Sequence, residues 1–114
     1  MLPFFYANDE IKYVLTEGND IQLSCQLLYG YETNQDVTLN WLFNGKLLNN
    51  KADKFVISKT IQKKTNSYKM FLQIKQIQFA EMGSYQCQAI NTYGNKSNTI
   101  VIKVKSKLFF FVTH

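Results

Sequence analysis

Two cysteines, one histidine and a scatter of hydroxyls and carboxylates are the residues of this 114-residue chain that could do chemistry. Cys25 and Cys87 have neither the short C-x-x-C spacing nor the histidine partners that a metal or redox pair needs. The histidine, His114, is the last residue and is expected to serve no site. Without a histidine inside the fold, no serine or cysteine can be joined to a base. Asp9 and Glu10 are neighbours and would face opposite ways in a strand, so they form no working pair of carboxylates. No glycine-rich loop opens a helix. Neither catalysis nor a cofactor, metal or small-molecule substrate is therefore expected. Two cysteines permit a single pairing, and whether they are joined depends on the compartment.

The net charge of +5 comes from lysine alone, because the chain has no arginine. Readers of nucleic-acid sequence rely on the arginine fork for bidentate contacts, so that class is disfavoured. A hydrophobic fraction of 46% and an aromatic fraction of 15% are those of a folded chain, and the length suits one two-layer core. No run approaches the ~20 apolar residues of a membrane-spanning helix. The first residues lack the basic region and cleavage site of a secretory leader. The expectation is a piece of a longer protein, tied to a membrane only through other parts of that protein.

The elements that position the cysteines read as strands. Ile21, Leu23, Cys25 and Leu27 alternate with polar residues, as do Ile100, Ile102 and Val104 near the end. Leu39, Trp41 and Phe43 form a third alternating set, followed by Asn44-Gly45, a strong signal for a two-residue hairpin turn. Residues 11–15, 46–48, 54–59 and 68–75 read as further strands, with Met70, Leu72 and Ile74 on one face. Tyr85 and Cys87 sit two apart and so share a face, with Gly83 two residues earlier. A tyrosine entering a core needs a partner for its hydroxyl, and the nearest backbone is the turn before Gly83. Residues 91–95 read as a turn. Residues 1–10 are a lead-in with no assigned element, 11–105 the domain, and 106–114 an apolar tail outside it.

The order Cys25, Trp41, Cys87, with Leu72, Ile74, Ile77, Glu81, Gly83 and Tyr85 between, resembles the intermediate (I) set of immunoglobulin domains over nearly the whole chain. The resemblance implies an all-β, two-sheet antiparallel Greek-key sandwich. It further implies a disulfide between Cys25 and Cys87 packed on Trp41, with Leu72 and Tyr85 as core signature residues and a tyrosine corner at Tyr85. Lys54 and Glu81 stand where the family often has arginine and aspartate, so a longer-armed ion pair is expected without the fork geometry.

On the surface, Asn95-Lys96-Ser97 is an N-glycosylation triplet. Lys59, Lys63, Lys64, Lys69 and Lys75 fall around two neighbouring strands and would make one sheet edge basic if they converged, with a solvated face that discourages aggregation as the favoured reading. Leu42, Gln86, Gln88 and Ile90 should point outward from the other sheet, a mix of amides and isolated aliphatics that fits a modest partner face. The function expected is a protein-binding module of a larger cell-surface or extracellular protein, used in adhesion or receptor recognition. Its partners would be other immunoglobulin-like domains or a receptor. The alternatives are an intracellular, titin-like spacer and a non-catalytic ectodomain of a receptor kinase or matrix enzyme.

Overall fold

The computed structural model describes residues 4–5, 10–14, 16–28, 37–51, 53–62, 67–91 and 94–106. The described residues form nine strands, in chain order β1 Phe4–Phe5, β2 Glu10–Val14, β3 Ile21–Leu28, β4 Thr38–Phe43, β5 Lys46–Leu47, β6 Phe55–Gln62, β7 Ser67–Ile74, β8 Gly83–Asn91 and β9 Gly94–Val104. One sheet has the order β1-β3-β7-β6 and the other β2-β9-β8-β4-β5. Every pairing is antiparallel except that of β2 with β9.

The alternation read from the sequence fills the space between the sheets. Leu23, Cys25, Met70, Leu72 and Ile74 come from the first sheet and Trp41, Tyr85, Cys87, Ile100, Ile102 and Val104 from the second, all buried. Ile77 leaves the strand period after β7 yet is also buried, because its backbone is drawn in between turns: its N–H donates to Asn19 O at 2.9 Å, and its O accepts from Gly18 N–H at 2.7 Å.

The start of the chain departs from the sequence reading. The lead-in of residues 1–10 supplies β1, which pairs with Leu27 and Leu28, and the first residue of β2, which runs beside β9. The chain thus crosses from one sheet to the other before residue 10. The loop at residues 29–36, the turn around Lys63 and Lys64, and the apolar run at 108–114 lie outside the described residues.

Between β4 and β5, Asn44 at φ 49° and Gly45 at φ 84° form the two-residue turn that the dipeptide encodes. The Asn44 side chain then reaches the start of β8, where its Oδ1 accepts from Ser84 N–H at 2.9 Å. Gly83 at φ 150° makes that approach possible: a Cβ there would lie 2.6 Å from Asn44 Oδ1 and 2.9 Å from the Phe43 ring.

Candidate binding face on the second sheet

The face is presented by a scaffold whose fixed points are the signature residues. Cys25 on β3 and Cys87 on β8 are joined in a disulfide across the two sheets, with Cα atoms 6.6 Å apart. Trp41 lies opposite Cys87 on β4 and is fully buried, as is Leu72 opposite Leu23. The Trp41 indole N–H finds no acceptor among the described residues. Such an orphan costs about 1–3 kcal/mol, which the burial of the large ring offsets.

Tyr85 Oη donates to Glu81 O at 2.6 Å, and its ring stacks on Phe43 at 4.6 Å between centroids. Burial, and then the nearby Glu81 carboxylate, hold its hydroxyl far above the usual phenol range. Lys54 Nζ donates to Lys75 O at 3.0 Å, Gln76 O at 3.1 Å and Glu81 Oε1 at 3.0 Å. The fork of an arginine is absent, as expected for a lysine. The three donors of the ammonium instead meet three oxygens on two segments, which ties the head of β6 to the end of β7 and to the 3-10 turn Phe79–Glu81. Glu81 Oε1 also accepts from Gln78 N–H at 2.8 Å, closing a capping box on that turn. Gln76, at φ 47°, is held by its N–H bond to Asp20 Oδ1 at 2.8 Å.

With β8 fixed at this corner, the register of the second sheet sets its outer face. Thr38, Ile90 and Asn95 form one cross-strand row, Asn40, Gln88 and Ser97 the next, and Leu47, Leu42, Gln86 and Thr99 the third. Leu42, Gln86, Gln88 and Ile90 therefore lie on one surface, each half-buried. Two weak bonds cross it, Asn40 Nδ2 to Gln88 Oε1 at 3.4 Å and Gln86 Nε2 to Thr99 Oγ1 at 3.5 Å. The residue that sequence reasoning missed is Leu47, 57% exposed and directly opposite Leu42. The signal was present, since a two-residue turn at Asn44-Gly45 makes positions 42 and 47 cross-strand partners on one face.

Asn95 also departs from expectation. It belongs to β9 and pairs with Ile90, because the ladder with β8 runs up to Asn91 and Gly94. It is exposed, as are Lys96 and Ser97.

Among the described residues of that set, Lys59, Lys69 and Lys75 do not converge. Lys59 pairs with Met70 and Lys69 with Thr60, one position apart on adjacent strands, so the two side chains leave opposite faces of the first sheet. Lys59 Nζ sits 5.9 Å from the centre of the Tyr68 ring and Lys69 Nζ 5.6 Å from that of Phe71. Lys75 is at the far end, beyond Ile74. Among the described residues no group of histidine, cysteine, aspartate or glutamate could hold a metal ion.

The fold has many solved counterparts. A tandem pair of titin immunoglobulin domains superposes with a TM-score of 0.74 at 22% identity, over 94% of this chain and 51% of that one. The titin M1 domain gives 0.67 at 22% identity, over 90% of this chain and 95% of that one. A chain of the complex between Dpr2 Ig1-Ig2 and DIP-Theta Ig1-Ig3 gives 0.74 at 19% identity, over 90% of this chain and 32% of that one. The chain thus spans a third to a half of the tandem titin immunoglobulin structures it matches. No curated protein matches it. The immunoglobulin I-set domain profile matches residues 7–104, so the chain belongs to the I-set family of immunoglobulin domains.

Proposed function

We propose that this domain is a non-catalytic protein-binding module of a larger cell-surface or extracellular protein, and that it binds through the outer face of its second sheet. The observation that carries the reading is the exposed Leu47 beside Leu42, flanked by Gln86, Gln88 and Ile90 on one surface. Aliphatic anchors among hydrogen-bonding amides suit a small, partly polar interface. The cross-sheet disulfide supports an oxidising compartment. A structural neighbour engaged in a complex between immunoglobulin domains, Dpr2 with DIP-Theta, supports a partner of the same kind. One small face supplies little area, so a single copy binds weakly and repetition along a chain supplies avidity.

The second reading is an intracellular spacer, favoured by the number of titin domains among the structural neighbours. The double substitution Leu42→Lys with Ile90→Lys separates the two. Sedimentation of wild type and variant at matched concentration should show self-association, or capture of an immunoglobulin-domain partner, lost in the variant while circular dichroism stays unchanged. A wild type that is monomeric and captures nothing, like its variant, would favour the spacer.

A further inference from the structure

We propose that Asn95 is an N-glycan acceptor and that its glycan covers the Ile90 end of the binding face, leaving Leu42 and Leu47 as the open part. This proposal rests on the extracellular reading above. Asn95-Lys96-Ser97 is the sole Asn-x-Ser/Thr triplet in the chain, and all three residues are exposed. Strand alternation puts the Asn95 and Ser97 side chains on the same face, the outer one. On that edge β2 pairs with residues 100–104 of β9, and none of the described strands pairs with residues 95–99 there. The disulfide fits the kind of compartment in which such triplets are glycosylated.

The chemistry is a substitution at a sugar carbon. The Asn95 side-chain nitrogen attacks C1 of an oligosaccharide carried on a lipid diphosphate. A C–N bond forms as the C–O bond to the phosphate breaks, the lipid diphosphate leaves with the electron pair, and the amide loses one proton. The consequence follows from position. Ile90 is directly opposite Asn95, and Thr38 is next in the same row. Strands are about 4.8 Å apart, so the first sugar, which is as long as that spacing, lies over Ile90. Leu47 is four residues along and three strands across, roughly 13 Å and 14 Å away in the two directions. The first sugars therefore leave it uncovered.

The test uses the full 114-residue chain placed behind a cleavable secretory leader and secreted from cultured animal cells, read by intact mass and by hydroxyl-radical footprinting before and after peptide N-glycosidase. We expect one glycan, retained in Ser97→Thr and lost in Ser97→Ala, with conversion of Asn95 to aspartate on enzymatic release. Ile90 should be oxidised several-fold less in the glycosylated form, and Leu47 equally in both. Unmodified Asn95 in secreted protein with an intact disulfide would overturn the proposal, as would equal oxidation of Ile90 with and without the glycan. Neither readout involves a partner, so failure here leaves the binding reading standing. Failure of the Leu42→Lys, Ile90→Lys experiment in turn leaves the acceptor site standing.

Discussion

The corner where β8 begins and the outer face of the second sheet lie on the same strands and are built in opposite ways. At the corner, Tyr85, Lys54, Glu81 and Asn44 make hydrogen bonds of 2.6 to 3.1 Å, each to a backbone group or an opposite charge. On the face, two side-chain amide contacts run at 3.4 and 3.5 Å, and an aliphatic side chain stands in solvent. The corner is where the fold is secured. The face is held in place by the corner and contributes little to it, which leaves its side chains free to be chosen for a partner.

Substitutions at the corner and core should therefore cost stability, and substitutions on the face should not. The largest effect belongs to the disulfide. Replacing both Cys25 and Cys87 by alanine removes a cross-link whose ends are 62 residues apart, worth about 4 kcal/mol in the chain-entropy model. Urea unfolding should show a loss of that size, and reduction of the wild type should approach the same midpoint.

Next is Tyr85→Phe, which deletes the hydroxyl and strands Glu81 O, at a cost of about 1–3 kcal/mol. Its pH dependence has a definite sign. The raised folded pKa means that above about pH 10 the unfolded chain gives up the Tyr85 proton while the folded one keeps it. Its stabilising contribution is complete below that pH, and stability then falls by about 1.4 kcal/mol per unit as alkalinity rises toward the folded pKa. The Tyr85→Phe variant should lose stability less steeply over that window, as read from alkaline urea midpoints. A smaller effect, about 1 kcal/mol once its partial exposure is allowed for, is expected for Lys54→Met, which leaves Glu81 and two carbonyls without their cation. Thermal melts at low and high salt would check it, since the ion-pair share should shrink with salt.

Much of this contrast was legible in the residues. The period-two placement of Tyr85 and Cys87, the alternation of Leu23 and Cys25, and the Asn44-Gly45 turn are local patterns, and local patterns carry their geometry with them. What depended on distant pairing was not legible. Phe4–Phe5 is too short to show a period, and its role as a strand comes from Leu27 and Leu28. Asn95 sits in asparagine- and glycine-rich sequence that reads as a turn, yet the ladder to Ile90 extends it. Lys59 and Lys69 look like one basic edge until their register sends them to opposite faces. Lys54 and Glu81 were legible as a pair, but not the two carbonyls that complete the set around the ammonium.

The central claim is that the outer face of the second sheet is a surface the fold does not depend on. Urea unfolding of Leu42→Lys with Ile90→Lys, run beside Tyr85→Phe and the wild type, tests it most directly. The account predicts a midpoint for the double variant within about 0.5 kcal/mol of wild type, the usual range for surface changes, with Tyr85→Phe clearly lower. A loss in the double variant as large as that of Tyr85→Phe would contradict it, because the face would then be part of what holds the domain together.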